Sequence, residues 1–147
     1  MVDILHRVGV VAPLDDVYRA VATPEGLAGW WTTDTVGKSA VGERVAFRFG
    51  AAGGFDMEVL TLDPSGHIRW RVVEGPEEWI GTEVDWRLDQ RGDYTIVLFT
   101  HEGWREPGEF MHHCSTKWAT FLMSLKELVE TGRGRPAPDD VAISDWH

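Results

Sequence analysis

The stretch Glu109–Gly132 reads EFMHHCSTKWATFLMSLKELVETG, and its apolar residues step by three and four: Phe110, Cys114, Trp118, Phe121, Leu125 and Leu128, joined by Met111, Leu122 and Val129. Such spacing keeps them on one side of an α-helix, and Gly132 supplies the residue that a left-handed helix end favours. The pattern predicts a helix over residues 109–131. An apolar stripe of that length has to be covered, so the helix must lie in a concave surface.

The cover lies upstream, where the period changes to two. Val45, Phe47 and Phe49 alternate with Arg44, Ala46 and Arg48, and Phe55, Met57, Val59 and Thr61 alternate with Asp56, Glu58, Leu60 and Leu62. Ile68, Trp70 and Val72 follow, then Thr82, Val84, Trp86 and Leu88, then a last run holding Val97, Phe99 and His101. Turns such as Asp63–Gly66, Gly75–Pro76 and Gly92–Asp93 separate the runs. Links this short join antiparallel strands, because parallel neighbours need long crossovers. Adjacent pairing would also set Arg69 and Arg71 beside Glu83 and Asp85. Asp56, Glu58, Glu83 and Asp85, alternating with inward apolar residues, read as solvated charges rather than acid–base pairs.

Before the meander, Ile4–Val11 reads as a strand ending at Pro13. Asp15 or Asp16 caps a helix through Val17, Tyr18, Val21 and Ala22. Thr23 then caps a second one that has Pro24 in its first turn and carries Leu27, Trp30 and Trp31. The expected architecture is α+β: one strand, two short helices, a curved antiparallel sheet and the long helix it wraps. One domain is expected over residues 1–135, with an extended tail over 136–147.

Composition narrows the function. The chain has 147 residues, 43% of them apolar, and 14 Lys+Arg against 24 Asp+Glu give a net charge of −10. Nucleic acid is not an expected partner, since phosphate binding needs clustered cations, and no apolar run is long enough for membrane insertion. The single cysteine, Cys114, cannot form an internal disulfide; with no secretory signal at Met1–His6, it points to the cytoplasm. Cys114 itself reads as a small buried hydrophobe on the helix stripe.

The run Val17–Trp31, VYRAVATPEGLAGWW, resembles the signature of the activator of heat-shock protein 90 ATPase homologue-like family. His101–Trp104, then Cys114, Trp118, Phe121, Leu122, Ser124 and Leu125 and the ending Glu130–Gly134 are similar to its C-terminal helix motif. The resemblance spans residues 5 to 140 or so. It implies the START-like (SRPBCC, Bet v-type) helix-grip fold, with a hydrophobic cavity between sheet and helix. Superfamily members include lipid and hormone binders, polyketide cyclases and oxygenase subunits, so the fold does not name one chemistry. The co-chaperones that give the family its name carry a further N-terminal domain for which this chain has no room.

Eight tryptophans and six phenylalanines in so small a chain either fill a thick core or line a pocket. The pocket reading assigns its walls to Phe47, Phe49, Trp70, Trp86, Phe99, Trp118 and Phe121. The resemblance implies that Trp30 and Trp31 stand near the mouth, and since adjacent helix residues diverge, one is expected to pack and the other to border the opening. His101 and His112 are its polar anchors, and the ligand is a hydrophobic or aromatic small molecule. No metal site or cofactor is expected: His112 and His113 are consecutive and diverge on a helix, and no phosphate loop or dinucleotide fingerprint is present. Two other readings stay open. One is a protein-interaction module with a chaperone or a second copy as partner, through an exposed patch at Trp79, Trp104 and Trp146. The other is a cyclase or hydrolase using His101 or His112 as general base.

Overall fold

In the computed structural model, which describes residues 1–147, strand β1 (Val2–Val10) is followed by helices α1 (Leu14–Ala22) and α2 (Pro24–Trp30). Strands β2 (Asp34–Gly37), β3 (Arg44–Arg48), β4 (Gly54–Asp63), β5 (His67–Glu74), β6 (Glu83–Arg91) and β7 (Tyr94–Trp104) then lead to helix α3 (Glu109–Thr131). The strands form one antiparallel sheet in the order β1-β7-β6-β5-β4-β3-β2. It curves around α3 as the helix-grip fold requires.

The alternation holds because each strand has one wet and one dry face. Trp70 lies opposite Val84 and Trp86 opposite Phe99, all four buried. On the outer face, Arg69 lies opposite Asp85 and Arg71 opposite Glu83, as the charge pattern predicts. Arg69 hydrogen-bonds Glu83, Asp85 and Glu102, while His67 reaches Asp85 at 2.6 Å. Asp85 is therefore only 7% exposed, which corrects its reading as a freely solvated charge. Burial alone would raise its pKa, but hydrogen bonds from His67 and Arg69 leave it below the ordinary value.

Three local expectations change. Neither Asp15 nor Asp16 caps α1; Pro13 stands at the N-cap and both carboxylates sit in the first turn, where they favour the positive end of the helix dipole. A register shift between Val59 and Thr61 in β4 places Leu62 opposite the buried Ile68, so Leu62 faces inward where strict alternation predicts Thr61. An extra residue in one strand does this. Strand β2 was not expected: its four residues have no apolar period, and it forms by pairing with β3.

Helix α2 begins as predicted, with Thr23 Oγ1 accepting the Gly26 N–H at 3.0 Å. Gly26 lets α2 cross close to α1, since a Cβ there would stand 2.5 Å from Ala20 Cα. Helix α3 ends at Gly132, φ 88°, whose N–H bonds Leu128 O at 2.8 Å. No helix is long and apolar enough to cross a membrane. Residues 136–147 do not project. Ala137 exchanges backbone hydrogen bonds with Trp31 and Thr33 (2.8 and 3.0 Å), and the segment returns to α3 as a strap, bonded to His113 and Lys117.

Candidate functional site

Helix α2 and the inward faces of β3, β5, β6 and β7 deliver their rings to the middle of α3, where they meet. Trp31 and Phe47 centroids are 4.3 Å apart, Phe99 and Trp118 4.5 Å, and Trp86 and Phe99 5.0 Å. Trp30, Phe47, Trp70, Trp86 and Phe99 are all exposed by 2% or less. They form a solid core rather than pocket walls. Trp30 and Trp31 are both buried and stacked at 5.6 Å; Trp31 stands at the C-cap of α2, so opposed helix faces do not separate the pair.

Space remains at one end of the grip. A cleft of about 850 Å³, open to solvent, lies between the β3–β4 turn, the first half of α3 and the strap. Its apolar surface comes from Trp31, Phe49, Phe55, Trp79, Trp118 and Phe121, with Phe110 and Trp146 also lining it. Among the expected site residues, then, Trp31, Phe49, Trp118 and Phe121 share this cleft, whereas Trp30, Phe47, Trp70, Trp86, Phe99, His101 and His112 do not line it. Phe55 was legible as an inward β4 residue. Lys117 sits on the α3 stripe between Cys114 and Phe121, a spacing that could have marked it, whereas Trp79 and the strap carried no periodic signal that would bring them here.

The cleft's rim is braced by Arg48, which hydrogen-bonds Asp56 at 2.8 Å and the carbonyls of Phe47 and Phe55 at 3.0 and 3.3 Å. Two of its tryptophans are held from behind by His101, Trp118 through its indole and Trp79 through its backbone carbonyl. Trp118 Nε1–H donates to His101 Nδ1 at 3.1 Å, and because an indole nitrogen only donates, the imidazole proton sits on Nε2. That proton goes to Thr82 Oγ1 at 2.8 Å, and the Thr82 hydroxyl donates to Trp79 O at 2.5 Å. Burial lowers the His101 pKa to about 3. With its lone pair already accepting, this ring positions Trp118 and Trp79 and has no free base site.

His112 is exposed and outside the cleft. Its neighbour His113 lines the cleft and bonds Ser144 Oγ at 3.0 Å. The Cys114 thiol, 5% exposed, is pushed up to about 12 by burial, the behaviour of a packing group rather than a nucleophile. Trp79 and Trp104 are 5% and 2% exposed, so of the surface patch expected at three tryptophans only Trp146 remains outside the core. No three histidine, cysteine or carboxylate side chains converge in a metal-binding group.

The polar end of the cleft is Lys117. Its Nζ donates to Asp140 Oδ2 and to Val141 O, both at 2.6 Å, and to His147 O at 3.2 Å. Burial raises the Asp140 pKa, but the Lys117 hydrogen bond and charge outweigh it and leave the carboxyl below its ordinary value.

A family model described as Activator of Hsp90 ATPase homolog 1-like protein matches residues 11–130. No curated protein matches the chain. Among solved structures, the Aha1 dimer from Colwellia psychrerythraea is 44% identical, with a TM-score of 0.84, and the match covers 91% of this chain and 100% of that one. DynU16, a putative protein in the dynemicin biosynthetic locus, is 26% identical with a TM-score of 0.73, covering 90% of this chain and 48% of that one. The protein MLL2253 from Mesorhizobium loti, at 20% identity over 87% of this chain and 96% of that one, shares the fold with a TM-score of 0.77.

Proposed function

The chain belongs to the Activator of Hsp90 ATPase homolog 1-like family, and from that premise we propose that it binds an apolar or aromatic small molecule in the cleft between the β3–β4 turn and α3. Hydrophobic ligands are commonly bound within this fold. The observation that carries the reading is an aromatic-lined space of about 850 Å³, within the range of small-molecule sites. Burial of ligand surface drives association at about 25 cal/mol per Å², before the costs of immobilisation. Lys117 is the polar group at the cleft's end that orients the guest.

The test is a titration with the neutral fluorophore N-phenylnaphthylamine. Saturable binding to one site is expected, and Phe49→Ala, which trims a half-buried ring at the lip, should weaken it several-fold with a loss of stability of about 1–2 kcal/mol, below that of a fully buried Phe. No saturable binding by the folded parent protein would overturn the reading, as would unchanged affinity in the variant.

A second copy of the chain is the protein partner we propose, since the Colwellia psychrerythraea relative is described as a dimer. Analytical ultracentrifugation at micromolar concentration should give twice the monomer mass, and a monomer throughout would dispose of the idea.

A further inference from the structure

The strap brings to the cleft two groups that resemble parts of a ligand: the Trp146 ring, 5.4 Å from that of His113, and the Asp140 carboxylate on Lys117. Lys117 is 15% exposed in its side chain and stands 5.3 Å from the centroid of Phe121, on the cleft wall. Its anionic partner is Asp140, whose side chain is 4% exposed and whose Oδ1 is buried with no hydrogen-bond partner. His147 Nε2 approaches the other oxygen at 3.3 Å, leaving Oδ1 still unmatched. A buried carboxylate with one oxygen unsatisfied is an imperfect counter-ion, held less firmly than one whose two oxygens are both bonded.

We propose that the cleft takes an apolar or aromatic carboxylate, whose head group displaces Asp140 from Lys117 while its hydrocarbon part lies against Trp118 and Phe121. The strap over residues 137–147 is then an internal competitor that holds the ligand's place. Its closure reduces apparent affinity by the fraction of time Lys117 is occupied. This rests on the cleft being a small-molecule site, and it adds the charge of the guest and the group it exchanges with.

Naphthoate and its neutral analogue naphthamide, of similar shape, separate charge from shape when each displaces N-phenylnaphthylamine. In Asp140→Asn the ratio of naphthoate to naphthamide affinity should rise about tenfold over the parent, the size of an ordinary coupling between sites. Lys117→Met should lower that ratio, and in the double variant the gain from Asp140→Asn should vanish. Lys117→Gln replaces the methionine variant if the latter does not fold.

An unmoved ratio in an Asp140→Asn protein that still binds naphthamide overturns the exchange and leaves the cleft reading standing. A gain that persists in the double variant also overturns it, since the effect is then the general field of one removed negative charge. If naphthoate and naphthamide both fail to displace a bound fluorophore, the carboxylate assignment falls alone. If the fluorophore itself does not bind, both proposals fall together.

Discussion

His101 shows how a buried titratable ring serves packing. Its two nitrogens are spent on Trp118 and Thr82, and a neutral imidazole that accepts an indole N–H cannot take a proton without breaking that bond. The folded protein keeps the ring neutral down to about pH 3, while the unfolded chain protonates it near pH 6.5. Between those values the unfolded state holds the extra proton, so stability falls as the pH falls. From pH 7 to pH 5 this one group removes about 2 kcal/mol. Urea unfolding at both pH values should show a loss smaller by that amount in His101→Gln than in the parent, and equal losses would contradict the buried neutral ring. The inward direction of His101 follows from the β7 alternation, with Val97 and Phe99 before it. Its partners could not be read there. Trp118 lies on α3 and Thr82 in the β5–β6 connection, and only the closed grip brings them within 3.1 Å.

The same division runs through the elements. Helix α3 was legible to the residue at both ends, because a long apolar stripe and a terminal glycine state the same boundary in two ways. Strands β3, β5 and β6 were legible because packing on one side and charge on the other enforce a period of two. Strand β2 was not, since four residues held by pairing alone leave no periodic trace, and the β4 bulge was not, since one inserted residue breaks the rule used to see it. The strap is hidden for a different reason. Its anchors are backbone bonds at Ala137 and a lysine on α3, and neither shows in the sequence that it ties the tail down. Where two helices meet, the outcome can be tested directly. A Cβ on Gly26 would lie 2.5 Å from Ala20 Cα and 2.6 Å from Ala20 O, both backbone atoms that cannot swing aside. Gly26→Ala should destabilise the fold by about 1–3 kcal/mol, despite the better helix propensity of alanine; a stabilised variant in thermal unfolding would refute the close crossing.

For the whole molecule, the supply of large rings argued for an interior space, and the structure divides that supply. Most of the rings close into a core under the middle of α3, and the aromatic-lined space lies at the end where the β3–β4 turn and the strap face each other. Counting rings could not locate it, because the site depends on which of them find partners across the sheet. Topology has its own consequence. Val2 lies opposite Trp104 and Val10 opposite Thr95, so the sheet's outermost pairing joins parts of the chain far apart in sequence. The other five pairings join consecutive strands, so this one closure forms the largest loop, and non-local pairing of this kind slows folding to about milliseconds to seconds. Stopped-flow refolding is expected in that range, and a microsecond phase carrying the full amplitude would be incompatible with this strand order.

In the cell the consequence begins at the ribosome. The β1 segment emerges about a hundred residues ahead of its partner, and at ordinary rates of translation the interval is on the order of ten seconds. Throughout it the nascent chain carries Ile4, Val8 and Val10 with no neighbouring strand to hide them.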